Sequence, residues 1–131
     1  MAVGYNSPMK QMRLGLLILR FGLAAVFLWF GYSQLSDAAN WTSWVPAWAS
    51  SLTHLSGTTI VLANGLFELV FGALLVFGVW LRGAAILLAL HLALITFEIG
   101  LNEIGVRDFG LTMATIALAF LANNTTQEHG T

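Results

Sequence analysis

Residues 64–82 read NGLFELVFGALLVFGVWLR, part of an apolar run long enough to cross a bilayer, for which about 20 residues suffice. A carboxylate, Glu68, sits inside it, with Asn64 one helical turn earlier. A charged side chain at the bilayer centre costs roughly 2.5 to 3.5 kcal/mol on insertion scales, so such residues face a bundle interior and mark a pathway or ligand site. The rest of the chain has the same character. Of 131 residues 58% are hydrophobic and 8% charged, and mean hydropathy is +0.82. Soluble domains carry about a quarter charged residues, so the sequence predicts an integral membrane protein with a single domain over residues 1–122 and a polar C-terminal tail, 123–131.

Outward from this stretch, the apolar pattern divides into four spans: residues 14–35, 60–80, a third from Leu81 or Gly83 to Gly100, and 106–121. The fold class expected is all-α, an integral membrane four-helix bundle with a short amphipathic outer segment between the first two helices. Ser7 followed by Pro8 reads as an N-cap with Pro at the first helical position. Residues 36–59 hold Trp41, Trp44 and Trp48, which suit the headgroup level as membrane anchors. This segment carries no Lys or Arg and so belongs outside. Only Arg82 and Gly83 separate the second and third spans, which predicts a tight antiparallel hairpin. Gly15, Gly22, Gly65, Gly72 and Gly78 would permit close helix packing. Lys10, Arg13 and Arg82 place both termini in the cytoplasm by the positive-inside rule, in a multi-pass protein of the cell inner membrane. Arg107 is then the outer exception.

The polar residues are read by depth. At 1.5 Å per residue, Glu68 lies about 12 Å from the outer end of its helix and His91 about 15 Å from the inner end of the next. In a core of about 30 Å these are similar levels, so the two are expected to be neighbours, as a neutral hydrogen-bonded pair or an ion pair. Asn64 shares a helix face with Glu68, and Glu98 shares one with His91; Asp108, Thr112 and Thr115 form a further stripe. Together they predict a polar pocket opening outward, with Glu68 and His91 near its floor. A purely structural alternative pairs Glu68 with Arg20, and leaves His91 bonded to a backbone carbonyl or a hydroxyl.

Several chemistries are excluded or disfavoured. There is no cysteine, which removes disulfides, thiol redox chemistry and thiolate-held iron–sulfur clusters. His54 and His129 lie outside the spans, so no axial pair for a haem is expected. No metal site is assigned. A net charge of −1 offers no basic surface for nucleic acid.

The chain also resembles the DoxX family of small four-helix membrane proteins. The resemblance runs from Arg20 to about Leu121 and is carried by Arg20, by Gly31 to Gln34, by Glu68, Gly72, Gly78 and Arg82, and by Arg107, Asp108, Phe109 and Gly110. Gln34 stands where the family usually has Lys. The resemblance implies a four-helix bundle and a link to quinone-dependent redox chemistry: one branch supplies a subunit of an archaeal thiosulfate:quinone oxidoreductase, and bacterial members are associated with oxidoreductase complexes that protect against oxidative stress.

The function expected from residues and resemblance together is a quinone-interacting membrane subunit of an oxidoreductase system. Glu68 and His91 would handle protons, Asn64, Glu98 and Asp108 would complete the polar lining, and Phe67, Phe71 and Phe97 would surround the ring. The expected partners are membrane lipid and either other membrane subunits or further copies of the chain. The alternative is a structural or assembly subunit of a larger respiratory or oxidase complex.

Overall fold

The computed structural model describes residues 8–127, with side chains described through residue 122. Ser7, the expected N-cap, and residues 128–131, which include His129, lie outside the described residues. Helix α1 covers Pro8–Ser36, α2 Ala38–Trp41, α3 Ala47–Thr53, α4 Gly57–Phe77, α5 Leu81–Ile99 and α6 Glu103–Gln127, with a 3₁₀ turn over Thr42–Trp44 between α2 and α3. Four of the helices, α1, α4, α5 and α6, are long and apolar enough to span a membrane, and the protein is an all-α membrane four-helix bundle. Large apolar side chains such as Ile18, Phe77, Leu90 and Phe120 point outward, as expected where the surrounding solvent is hydrocarbon.

The bundle is assembled as two helix pairs. Helix α1 packs most closely on α4 and α5 on α6, while the α4–α5 hairpin makes a thinner contact. The tight pairing expected between the second and third spans is thus displaced to their other neighbours, and the reason lies in which faces carry small residues. On α4 the inward stripe is Val61, Gly65, Glu68, Gly72 and Leu75; on α1 it includes Phe27, Gly31 and Gln34. Glycines on both stripes coincide. A Cβ at Gly31 would lie 2.8 Å from the Gly65 carbonyl oxygen, and one at Gly65 would lie 2.9 Å from the Gly31 carbonyl oxygen. The backbones therefore touch, as in small-residue packing between membrane helices. Gly72 lies against Leu28 and Phe27, whereas Gly15 and Gly22, also expected at a helix contact, have nothing within 4 Å.

Helix ends account for the remaining differences. The α4–α5 turn is Gly78 to Trp80, not Arg82 and Gly83. Gly78 adopts φ 70°, and its N–H closes onto the Leu74 carbonyl, a left-handed C-cap suited to glycine. Arg20 donates from Nη2 to the Val76 carbonyl at 3.1 Å, placing a cation on the free carbonyls of this helix end. It forms no ion pair with Glu68: Val76 is eight residues farther along α4, about 12 Å by helical rise. Helix α6 begins earlier than expected because Asn102 caps it, its Oδ1 accepting from the Gly105 N–H at 2.9 Å. It also continues through residues 123–127 of the expected tail.

The same substitution should act in opposite directions on the two kinds of glycine. Gly65→Ala drives a methyl into backbone and should destabilise by about 1–3 kcal/mol, while Gly22→Ala should be neutral or stabilising by up to about 1 kcal/mol. Reversible unfolding of each variant in mixed micelles measures both; equal effects would remove the backbone contact as the organiser of the α1–α4 pair.

Candidate functional site

Close approach of α1 to α4 sets the geometry of the polar residues. The Gln34 Cβ lies over Gly65, 3.0 Å from where that residue's own Cβ would be, so the amide extends across the face of α4 unobstructed. There it meets Asn64 and Glu68, one on either side of Gly65. Asn64 Nδ2 donates to Gln34 Oε1 at 2.6 Å and to Glu68 Oε1 at 3.3 Å. Gln34 Nε2 donates to Glu68 Oε2 at 3.2 Å. His91 Nε2, from α5, stands 3.3 Å from Glu68 Oε1. Every bond to Glu68 described here comes from an amide or an imidazole, and no arginine or lysine is among these partners. Gln34, absent from the expected site, is central to the observed one. Its signal in the sequence was its spacing from Gly31, three residues on, which puts both on one helix face.

Burial separates the members of the cluster. The side chain of Glu68 is 6% exposed and that of His91 20%. Phe67 packs against the imidazole with ring centroids 4.7 Å apart, and Phe71 stacks on Phe67 at 4.5 Å. The pair thus backs the histidine and does not line the cavity in front of it. Phe97 is 83% exposed on the lipid side. It lies five residues past buried Leu92, about 140° around the helix, and is excluded from the site.

A cavity of about 400 Å³ opens from this cluster toward the end of the bundle that carries α2 and α3. Asn64, Glu68, His91, Glu98 and Asp108 all line it, together with Gln34 and Arg107. Its walls are mainly apolar, with Phe27, Phe30, Ile95 and Leu111 contributed by the spans. Trp41, Trp44 and Trp48 lie over it. Trp41 is held down by its indole N–H, which donates to Ser33 Oγ at 3.2 Å, and by an edge-on contact with Phe30 at 5.8 Å. The segment from α2 to α3 does not form one amphipathic helix, because the 3₁₀ turn and Pro46 break it. That break lets successive tryptophans face the same cavity.

At the cavity's other end Asp108 is 5% exposed and receives both Nε and Nη2 of Arg107, at 3.0 and 2.9 Å. The guanidinium also sits 5.5 Å above the Phe30 ring. Thr112, expected on the Asp108 stripe, bonds the Asp108 carbonyl and faces Thr96 across the α5–α6 contact. Thr115 bonds the Leu111 carbonyl. Both hydroxyls serve helix packing. Among the described residues no group of three or more His, Asp and Glu side chains is placed to hold a metal ion.

Fold and site together define a small multi-pass membrane protein with a buried carboxylate, two amides and an imidazole at the base of a largely apolar cavity. The family model for DoxX matches residues 15–100, about two-thirds of the sequence, and the chain belongs to the DoxX family. This match covers Gln34, Asn64, Glu68 and His91 but stops short of α6, so the resemblance noted at Arg107 to Gly110 lies beyond it. Neither a curated protein nor a solved structure matches the chain. Family membership associates the protein with oxidoreductase or stress-related function at the membrane.

Replacing Gln34 by Leu leaves Glu68 Oε2 and one Asn64 donor without their partner inside the bundle. The expected loss is about 1–3 kcal/mol of unfolding free energy. A double-mutant cycle with Glu68→Leu should be non-additive, the double variant losing less than the sum; additive losses would show that the two side chains are energetically independent.

Proposed function

We propose that the cavity binds the headgroup of a quinone or quinol, and that the chain is the quinone-interacting membrane subunit of an oxidoreductase system. The observation that carries this reading is the joined Gln34–Asn64–Glu68–His91 cluster at the base of a membrane cavity. A carboxylate placed there for stability alone would be expected to meet a cation or to be replaced by an apolar residue, because a buried charge with neutral partners is weakly compensated. About 400 Å³ falls within the range of roughly 300–1,000 Å³ typical of small-molecule sites, in which apolar walls surround a few convergent polar groups. A flat ring with two oxygens fits that description, and its isoprenoid or alkyl tail would find hydrocarbon at the bundle surface.

In this reading Glu68 and His91 accept protons from the ring hydroxyls of a quinol, or return them to the ring oxygens of a quinone as it is reduced. Glu98 and Asp108, nearer the capped end, would pass protons onward. By the positive-inside rule that end faces outward, since Lys10, Arg13 and Arg82 gather at the opposite end. Both termini would then be cytoplasmic, in the inner membrane. A quinol's electrons would go to a carrier on another subunit, so the working unit is a complex.

Mass spectrometry of lipids and proteins that co-purify with the native chain in mild detergent tests the reading. A stoichiometric quinone is expected, reduced at least tenfold in Glu68→Gln and His91→Ala. Stoichiometric protein subunits with no quinone attributable to this chain would overturn it in favour of an assembly subunit.

A further inference from the structure

Helix α4 meets its two neighbours along different edges. Gly65 and Gly72 lie on α1, whereas Ile60, Asn64, Phe67 and Phe71, spaced four, three and four residues apart, share the edge turned to α5. Rings fill the part of that edge nearer the α4–α5 turn. Phe71 contacts Trp80 of the turn at 6.3 Å, Phe67 contacts Phe71 at 4.5 Å, and His91 contacts Phe67 at 4.7 Å. A continuous stack therefore closes the α4–α5 seam from the turn up to His91. Beyond the imidazole, toward α2 and α3, the stack ends. The α4 edge there carries Asn64 and Ile60, and both line the cavity.

The facing edge of α5 is open at the same level. Leu94 lines the cavity and is also 52% exposed; Thr96, which faces α6 through Thr112, lies about 200° away around the helix. One side of Leu94 thus faces the cavity and the other hydrocarbon, and the wall here is a single side chain thick. Leu94 is five residues short of Ile99, and Ile60 is three past Gly57, about 7.5 and 4.5 Å along their helices. Both depths fall within the roughly 15 Å that one leaflet contributes to the hydrocarbon core.

The other routes out of the cavity are obstructed. Toward the α2–α3 end it is covered by Trp41, Trp44 and Trp48, with Trp41 pinned to Ser33. The α1–α6 seam is bridged by the Arg107 guanidinium above Phe30 and carries the Arg107–Asp108 ion pair. Its apolar wall residues, Phe27, Phe30, Ile104 and Leu111, are all buried or half-buried. A hydrocarbon chain passing there would desolvate charge; one passing between Ile60 and Leu94 meets apolar side chains and then lipid.

We infer that the seam between Ile60 and Leu94 is a lateral portal, through which the hydrocarbon tail of the bound molecule runs into the leaflet on the α2–α3 side. The ligand is then a tailed amphiphile taken from the bilayer, with its ring on the polar cluster and its first tail carbons between Ile60 and Leu94. The inference rests on the ring-binding reading above and adds to it the tail and its path.

Photolabelling of the full chain in nanodiscs, with a decylubiquinone analogue bearing a diazirine near the ring end of its alkyl chain, reads the path by peptide mass spectrometry. Adducts that excess decylubiquinone competes away are expected on residues 60–64 and 94–98. Competable adducts elsewhere on the chain, with none at these positions, would overturn the portal and leave ring binding intact. Equilibrium dialysis of variants, with protein-free nanodiscs as the partition reference, supplies a second measurement. Leu94→Trp, which fills the opening, should weaken decylubiquinone about tenfold, within the cost of overpacking an occupied space, and change the tailless dimethoxymethylbenzoquinone no more than about twofold. Leu90→Trp, at a lipid-facing position of the same helix outside the cavity, should change neither. Equal weakening of both probes by Leu94→Trp, or no weakening of either, would overturn the portal. Neither binding nor competable labelling of the wild-type chain would overturn the ring-binding reading itself.

Discussion

Gly31 and Gly65 meet backbone to backbone, each standing where the other's Cβ would have to go, and the architecture of the site follows from that contact. With no side chain between them, α1 and α4 approach closely enough for the Gln34 amide to cross onto α4 and bond Asn64 on one side of Gly65 and Glu68 on the other. Lipid provides no hydrophobic drive for helices to associate, so packing and interhelical hydrogen bonds must hold the pair. Here both occur at one place. A larger residue at either glycine would separate the helices and break both bonds of Gln34, to Asn64 and to Glu68.

The second pair, α5 with α6, has a different adhesive: buried alanines and leucines on α5, and the Thr96–Thr112 contact. Between the pairs the packing is thinner, and the cavity occupies that seam. His91 on Glu68 near the floor and Arg107 above Phe30 near the mouth cross it. Rigid pairs with a loosely filled seam place a ligand-sized space inside a bundle of only four spans without any helix being broken. The interrupted segment over the top, pinned by Trp41 to Ser33, supplies aromatic walls that the spans alone lack.

Much of this was legible from spacing. The four spans, the membrane class and the proximity of Glu68 to His91 follow from the length of apolar runs and a rise of about 1.5 Å per residue. The misreadings share a physical origin. Arg20 looked like a partner for Glu68 because charge attraction in hydrocarbon is strong, yet the free carbonyls at the end of α4 lay nearer. Phe97 looked like a ring wall because aromatics suit such sites, but its position around α5 turns it to lipid. Gln34 went unassigned because an uncharged amide in a span gives no energetic alarm. It was the partner glycine on the facing helix that gave it a role.

Composition and spacing set the solvent this protein lives in, the number of its spans and which side chains could not face lipid, because the insertion cost of a polar group follows mainly from the residue type and its depth. Tertiary structure alone decided which helices pair, which way each amide points and where the cavity lies. Those depend on how closely two backbones approach, and that distance is set jointly by residues 34 positions apart, Gly31 and Gly65, neither of which carries the information without the other.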